Sequence, residues 1–167
     1  MQIEFRKLYE KDIPTIVAAL AEIGWYPASL YQRYLKEQEN NDRCIWVAFK
    51  DNTFLGYITL KWQSDYPSFK TQNIPEINDF NVLPEFRRQG IGTHLLGLAE
   101  AEAQKRSPYV GLGVGLYADY GAAQKLYVKR GYVPDGLGVT YKYQSVVPGK
   151  EYPIDDDLIL WFVKKLR

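Results

Sequence analysis

The chemistry legible in this chain starts at Arg87-Arg88-Gln89-Gly90-Ile91-Gly92-Thr93, where two guanidinium groups and two glycines fall within seven residues. Glycine lets backbone N–H groups come close to a phosphate, and arginine supplies charged planar donors that suit phosphate oxygens. The run lies between the strand formers Ile77, Phe80 and Val82, stopped by Pro84, and an amphipathic stretch that begins at Leu95. A strand that feeds a Gly-rich turn and opens a helix is an anion site, because the first helical N–H groups lack internal partners and the helix dipole favours negative charge there. The expected ligand carries phosphate.

The elements that must position this loop fit one domain spanning residues 1–167, a length that can bury a full core. Lys plus Arg number 21 against 20 Asp plus Glu, so no overall field favours a nucleic acid or an anionic membrane. Cys44 is the only cysteine and no apolar run approaches the roughly 20 residues that span a bilayer. A cytoplasmic protein is the simplest reading. Fourteen Tyr and four Trp can supply pocket walls as well as core.

In chain order, Gln2 to Leu8 alternates as an edge strand. Asp12 is placed as the cap of a helix near 12–23 that ends at a left-handed Gly24, and a second helix runs from about Ser29 to Glu39. Cys44 to Phe49 and Phe54 to Trp62 read as a hairpin in an antiparallel meander. Gln63 to Asn73 lacks any period and reads as a loop. After the Gly-rich turn come a helix from Leu95 to Gln104, a strand from Val110 to Leu116 relieved by Gly111, Gly113 and Gly115, and a short helix through Tyr127 that Gly131 ends. That order implies a right-handed crossover between two parallel strands. Residues 136–156 suit a hairpin around Pro148-Gly149, and Asp157 to Val163 is the last strand.

The loop lacks the third glycine of a dinucleotide fingerprint, with Leu95 in its place, and no Gly-Lys-Ser or Gly-Lys-Thr run marks a P-loop. Arg87 to Gly92 instead matches Arg/Gln-x-x-Gly-x-Gly/Ala. Ala123-Gln124-Lys125-Leu126-Tyr127-Val128-Lys129-Arg130-Gly131-Tyr132 matches a second pattern, A-x-x-L-Y-x-K-x-G-F/Y, about thirty residues later. Together, with Phe80-Asn81-Val82 before the loop, they resemble the GNAT family of N-acetyltransferases. The resemblance implies a mixed α+β fold of three layers, with a mostly antiparallel seven-stranded sheet and about four helices. It also implies acetyl-CoA as acyl donor and a small-molecule or peptide amine as acceptor. No metal is expected, because one His and one Cys cannot build the usual ligand set and no clustered carboxylate motif supplements them.

The resemblance places the coenzyme A pyrophosphate on the segment Arg87, Arg88, Gln89, Gly90, Ile91, Gly92 and Thr93, and the pantetheine arm along Val82 and Leu83, with the Val82 N–H on the thioester oxygen. Tyr127 becomes the acid for the departing thiolate. Glu76 is the first candidate for the base, since it shares strand parity with Val82, and Asp79 is the second, facing the other way if the strand is regular. The family often places Asn where this chain has Tyr120. Trp25, Tyr26, Trp62, Asp65, Tyr66 and residues 136–156 are candidate walls of the acceptor pocket, and the surface aromatics suit a homodimer seam equally. Two alternatives are a non-catalytic acyl-CoA sensor and a thioester route through Cys44 and His94.

Overall fold

The computed structural model describes residues 2–24 and 26–167. In chain order its elements are β1 (Glu4–Lys7), α1 (Ile13–Leu20), α2 (Ala28–Glu39), β2 (Arg43–Lys50), β3 (Thr53–Lys61), α3 (Pro67–Gln72), β4 (Glu76–Val82), α4 (Ile91–Gln104), β5 (Tyr109–Gly115), α5 (Gly121–Lys129), β6 (Val133–Tyr141), β7 (Gln144–Ser145) and β8 (Leu158–Lys165). The described residues thus hold eight strands and five α-helices, where seven and about four were expected; the added strand is the two-residue β7. They form two compact units, Met1–Trp62 with Ile77–Glu102, and Gln63–Glu76 with Ala103–Arg167.

In the first unit the strand order is β1-β2-β3-β4. The predicted meander is present: Phe5 pairs with Ala48 and Val47 with Tyr57, both antiparallel, and the β2–β3 turn passes through a left-handed Asp51. Ile13, Ile16 and Leu20 of α1 pack with Tyr31 and Tyr34 of α2 onto Ile45, Val47, Phe54 and Tyr57. Two details of α1 depart from the sequence reading. Asp12 holds the N-cap position, but its side chain makes no capping bond and turns back, accepting the Tyr9 N–H at 2.9 Å and pairing with the two terminal Arg6 nitrogens at 2.7 and 2.9 Å. Gly24 does not take a left-handed φ; its missing side chain instead admits Tyr26, whose ring carbon would stand 2.7 Å from a Cβ there.

In the second unit the order is β5-β8-β6-β7, with Gly113 opposite Trp161 and Val139 opposite Leu160. The segment 63–73, expected as a loop, contains α3. Pro67 opens it, a left-handed Asn73 closes it, and Phe69 is its buried residue. Six residues are too few to express a helical period, so the sequence could not reveal it. The hairpin expected around Pro148-Gly149 forms elsewhere: β6 turns into β7 at Lys142 and Tyr143, both left-handed. Neither is a residue type that marks such a turn. Gly111 is required by Phe69, whose ring would lie 2.2 Å from a Cβ, and Gly115 by Tyr120 at 2.4 Å. Tyr66 stacks on Trp161 at 4.1 Å, and the Trp161 indole donates to Thr140 at 2.8 Å. No helix among the described residues is long and apolar enough to cross a membrane.

Candidate active site

β4 ends at Val82, the Leu83 N–H returns to Leu55 at 2.9 Å, and Pro84–Phe86 form one 3-10 turn. Arg88 (φ 61°) and Gly90 (φ 81°) are both left-handed, and α4 begins at Ile91 with the His94 N–H on the Gly90 carbonyl at 3.0 Å. The N–H groups of Ile91, Gly92 and Thr93 precede any helical acceptor, which leaves them for an anion. The two glycines serve different ends. Gly90 supplies a backbone conformation in open space, whereas Gly92 lets the first turn of α4 pack on β4, where a Cβ would stand 3.2 Å from Phe80 and 3.7 Å from Val82. Arg87 and Gln89 turn inward to the loop's own backbone, Arg87 Nε donating to Val82 at 2.9 Å and Gln89 to Glu85 at 3.3 Å. Arg88 is exposed.

β4 is not regular. Asp79 takes φ 64° in mid-strand, so the alternation that set Glu76 and Asp79 on opposite faces is broken there. The half-buried Asp79 carboxylate accepts the Tyr34 hydroxyl at 2.9 Å and the Asn81 amide at 3.2 Å, and the Tyr57 phenol also bonds to it. Asn81 reaches Tyr57 as well, at 3.3 Å. Burial raises the Asp79 pKa above the ordinary carboxylate value, opposed by Tyr57, Tyr34, Arg43 and Asn81. Arg43 is itself buried: it donates to Glu37 at 2.5 Å, Thr59 at 2.7 Å and Asn78 at 3.0 Å, and lies 4.3 Å over the Tyr34 ring. No spacing in the sequence shows that Tyr34, Tyr57, Asn81 and Arg43 meet in this network, since four separate elements deliver them.

Glu76, by contrast, is 5% exposed and accepts the Ser64 hydroxyl at 2.5 Å within the second unit. Tyr127 lies in α5 of the same unit, 7% exposed, and burial raises its pKa. Tyr120 donates to Asp156 at 2.8 Å beside Tyr117, which bonds the same oxygen. Of the proposed pocket walls, Trp25 lies outside the described residues, Tyr26 packs on the first core, and Tyr66 is core, donating to Asp135 at 2.6 Å. Asp65 is exposed and Trp62 half-buried. His94 stacks on Phe5 at 3.8 Å, and Phe5 pairs with Ala48, four residues or roughly 13 Å along β2 from Cys44. Nothing in this geometry joins Cys44 to His94.

Known structures share the fold. PaiA N-acetyltransferase of Thermoplasma acidophilum, solved in complex with coenzyme A, superposes with a TM-score of 0.67 at 20% identity, covering 99% of each chain. An N-acetyltransferase of Staphylococcus aureus gives 0.73 at 20% identity over all of both chains. YncA of Salmonella typhimurium, solved with its cofactor acetyl-CoA, gives 0.70 at 14% identity, covering 100% of this chain and 95% of that one. No curated protein matches the sequence significantly. The profile of the Acetyltransferase (GNAT) family matches residues 5–132, which contain every residue of both patterns described above, and the chain therefore belongs to the GNAT family of acetyltransferases.

Proposed function

We propose that this protein is an N-acetyltransferase that passes the acetyl group of acetyl-CoA directly to an amine bound at the same time. Family membership over residues 5–132 carries the reading, and coenzyme A or acetyl-CoA in the complexes of PaiA and YncA supports the donor. Acetyl-CoA supplies an activated thioester when bound. Backbone N–H groups of Arg88 to Thr93 hold its pyrophosphate, with the left-handed residues Arg88 and Gly90 shaping the loop. The backbone at Val82 and Leu83 aligns the pantetheine arm, and the Val82 N–H stabilises the carbonyl oxygen as it gains charge. Tyr127, kept neutral by burial, gives its proton to the departing thiolate.

The attacking amine must be neutral, so a base takes its proton. Of the two carboxylates, Asp79 is favoured: it is accessible in part, its backbone is strained, and burial raises its pKa. Glu76 is the second candidate, more buried and already engaged by Ser64.

Incubation with acetyl-CoA and a panel comprising spermidine, a lysine peptide and peptides with free N-termini tests the proposal. Acceptor-dependent release of free thiol, with an acetylated amine of the added mass, is expected from wild type and from Cys44→Ala alike. Thermal stabilisation by acetyl-CoA with no thiol released by any amine overturns it in favour of a binding module.

A further inference from the structure

We infer that Tyr34 is a positioning residue that, with Tyr57 and Asn81, keeps the Asp79 carboxylate oriented and ionised for proton abstraction; this rests on Asp79 being the base proposed above. Three elements converge on one side chain: Tyr34 from α2, Tyr57 from β3 and Asn81 from β4 itself. A carboxylate that accepts several hydrogen bonds is stabilised in its charged form, which opposes the cost of burying it.

The donors are held rigidly. Tyr31 meets the Tyr34 ring edge-on at 6.0 Å and the Tyr57 ring at 5.5 Å, so neither ring can swing without displacing it. The Arg43 guanidinium covers Tyr34 and is fixed in turn by Glu37, Thr59 and Asn78. The groups facing Asp79 are therefore Tyr31 and Tyr34 on α2, Arg43 on β2 with its charge balanced by Glu37, Tyr57 on β3, and Asn81 on β4. Every hydrogen-bonding neighbour named here donates to the carboxylate, and the nearby full positive charge is Arg43. A network that only filled the core would not need a carboxylate at its centre, since an apolar group of similar shape packs there without desolvating a charge.

Carbon-13 NMR of the full chain labelled at aspartate Cγ reads the Asp79 titration directly, the resonance being assigned by its loss in Asp79→Asn. Tyr34→Phe removes one hydroxyl and keeps the ring under Arg43. Its expected effect is proton binding at Asp79 stronger by on the order of tenfold, and the acid limb of kcat/KM, measured with the best amine of the panel, moves to higher pH with it. Tyr57→Phe serves as the second variant, with the same direction expected. An unmoved Asp79 midpoint in folded Tyr34→Phe or Tyr57→Phe protein overturns this inference, whatever the activity. A moved midpoint together with full activity of Asp79→Asn overturns the reading of Asp79 as the base instead.

Discussion

The Tyr132 N–H donates to the Tyr127 carbonyl at 3.0 Å, and the two rings meet at 5.9 Å and 61°. With Gly131 left-handed at φ 94° and its N–H on the Val128 carbonyl, this is a Schellman ending of α5 with its hydrophobic contact. The pattern from Ala123 to Tyr132 is thus, in physical terms, a helix terminator that also fixes the Tyr127 ring.

Gly131→Ala should destabilise the protein by about 1–2 kcal/mol through backbone strain. Among the described residues, an added Cβ would meet Lys164 Cε at 3.9 Å, an ordinary contact, so no clash contributes. Urea unfolding measures the loss, and an unchanged midpoint would contradict the strain argument.

Tyr127→Phe keeps the ring contact and removes only the hydroxyl. A Tm within a few degrees of wild type, with kcat lower by roughly 100-fold, is expected. Equal loss of folding and activity would make the phenol structural.

Gly90 and Gly92 should fail for different reasons. Gly90→Ala meets open space but a strained φ, costing about 1–2 kcal/mol that no neighbouring substitution recovers. Gly92→Ala crowds Phe80, so adding Phe80→Leu should restore part of the loss, with a coupling of about 0.5 kcal/mol or more in a double-mutant cycle. No coupling at Gly92 would rule out the packing account.

Arg88→Gly removes a side chain from a left-handed position where glycine is at ease. Unchanged or higher stability, with weaker coenzyme A binding at low salt, is expected by calorimetry. Arg87→Ala, which loses the bond to Val82, should lower stability instead.

Asp79 makes stability depend on pH. Its native pKa is raised, so the folded protein still holds this proton above the ordinary value of 3.8, where the unfolded chain has released it. The stabilisation is fully present below that value and is lost as pH rises through the native pKa. Asp79→Asn removes the dependence and should raise Tm at pH 8 by roughly 2–4 °C while lowering activity. A fall in Tm at pH 8 would show that the ionised carboxylate is a net stabiliser.

The sequence by itself determined whatever rests on local chemistry: the meander, the Gly-rich opening of α4, the Gly131 ending of α5 and, through two spaced patterns, the family. These features are set by neighbours in the chain, where a glycine or an apolar period acts over a few residues. It could not yield α3, too short to show a period, or the turn at Lys142-Tyr143, whose left-handed residues are dictated by strand pairing. Nor did it reveal the surroundings of the two carboxylates. The positive φ of Asp79 breaks the parity on which Glu76 was ranked first, and Tyr34, Arg43, Tyr57 and Asn81 reach Asp79 from four elements. Ionisation depends on burial and on donors brought together from distant positions, so only tertiary structure could decide it.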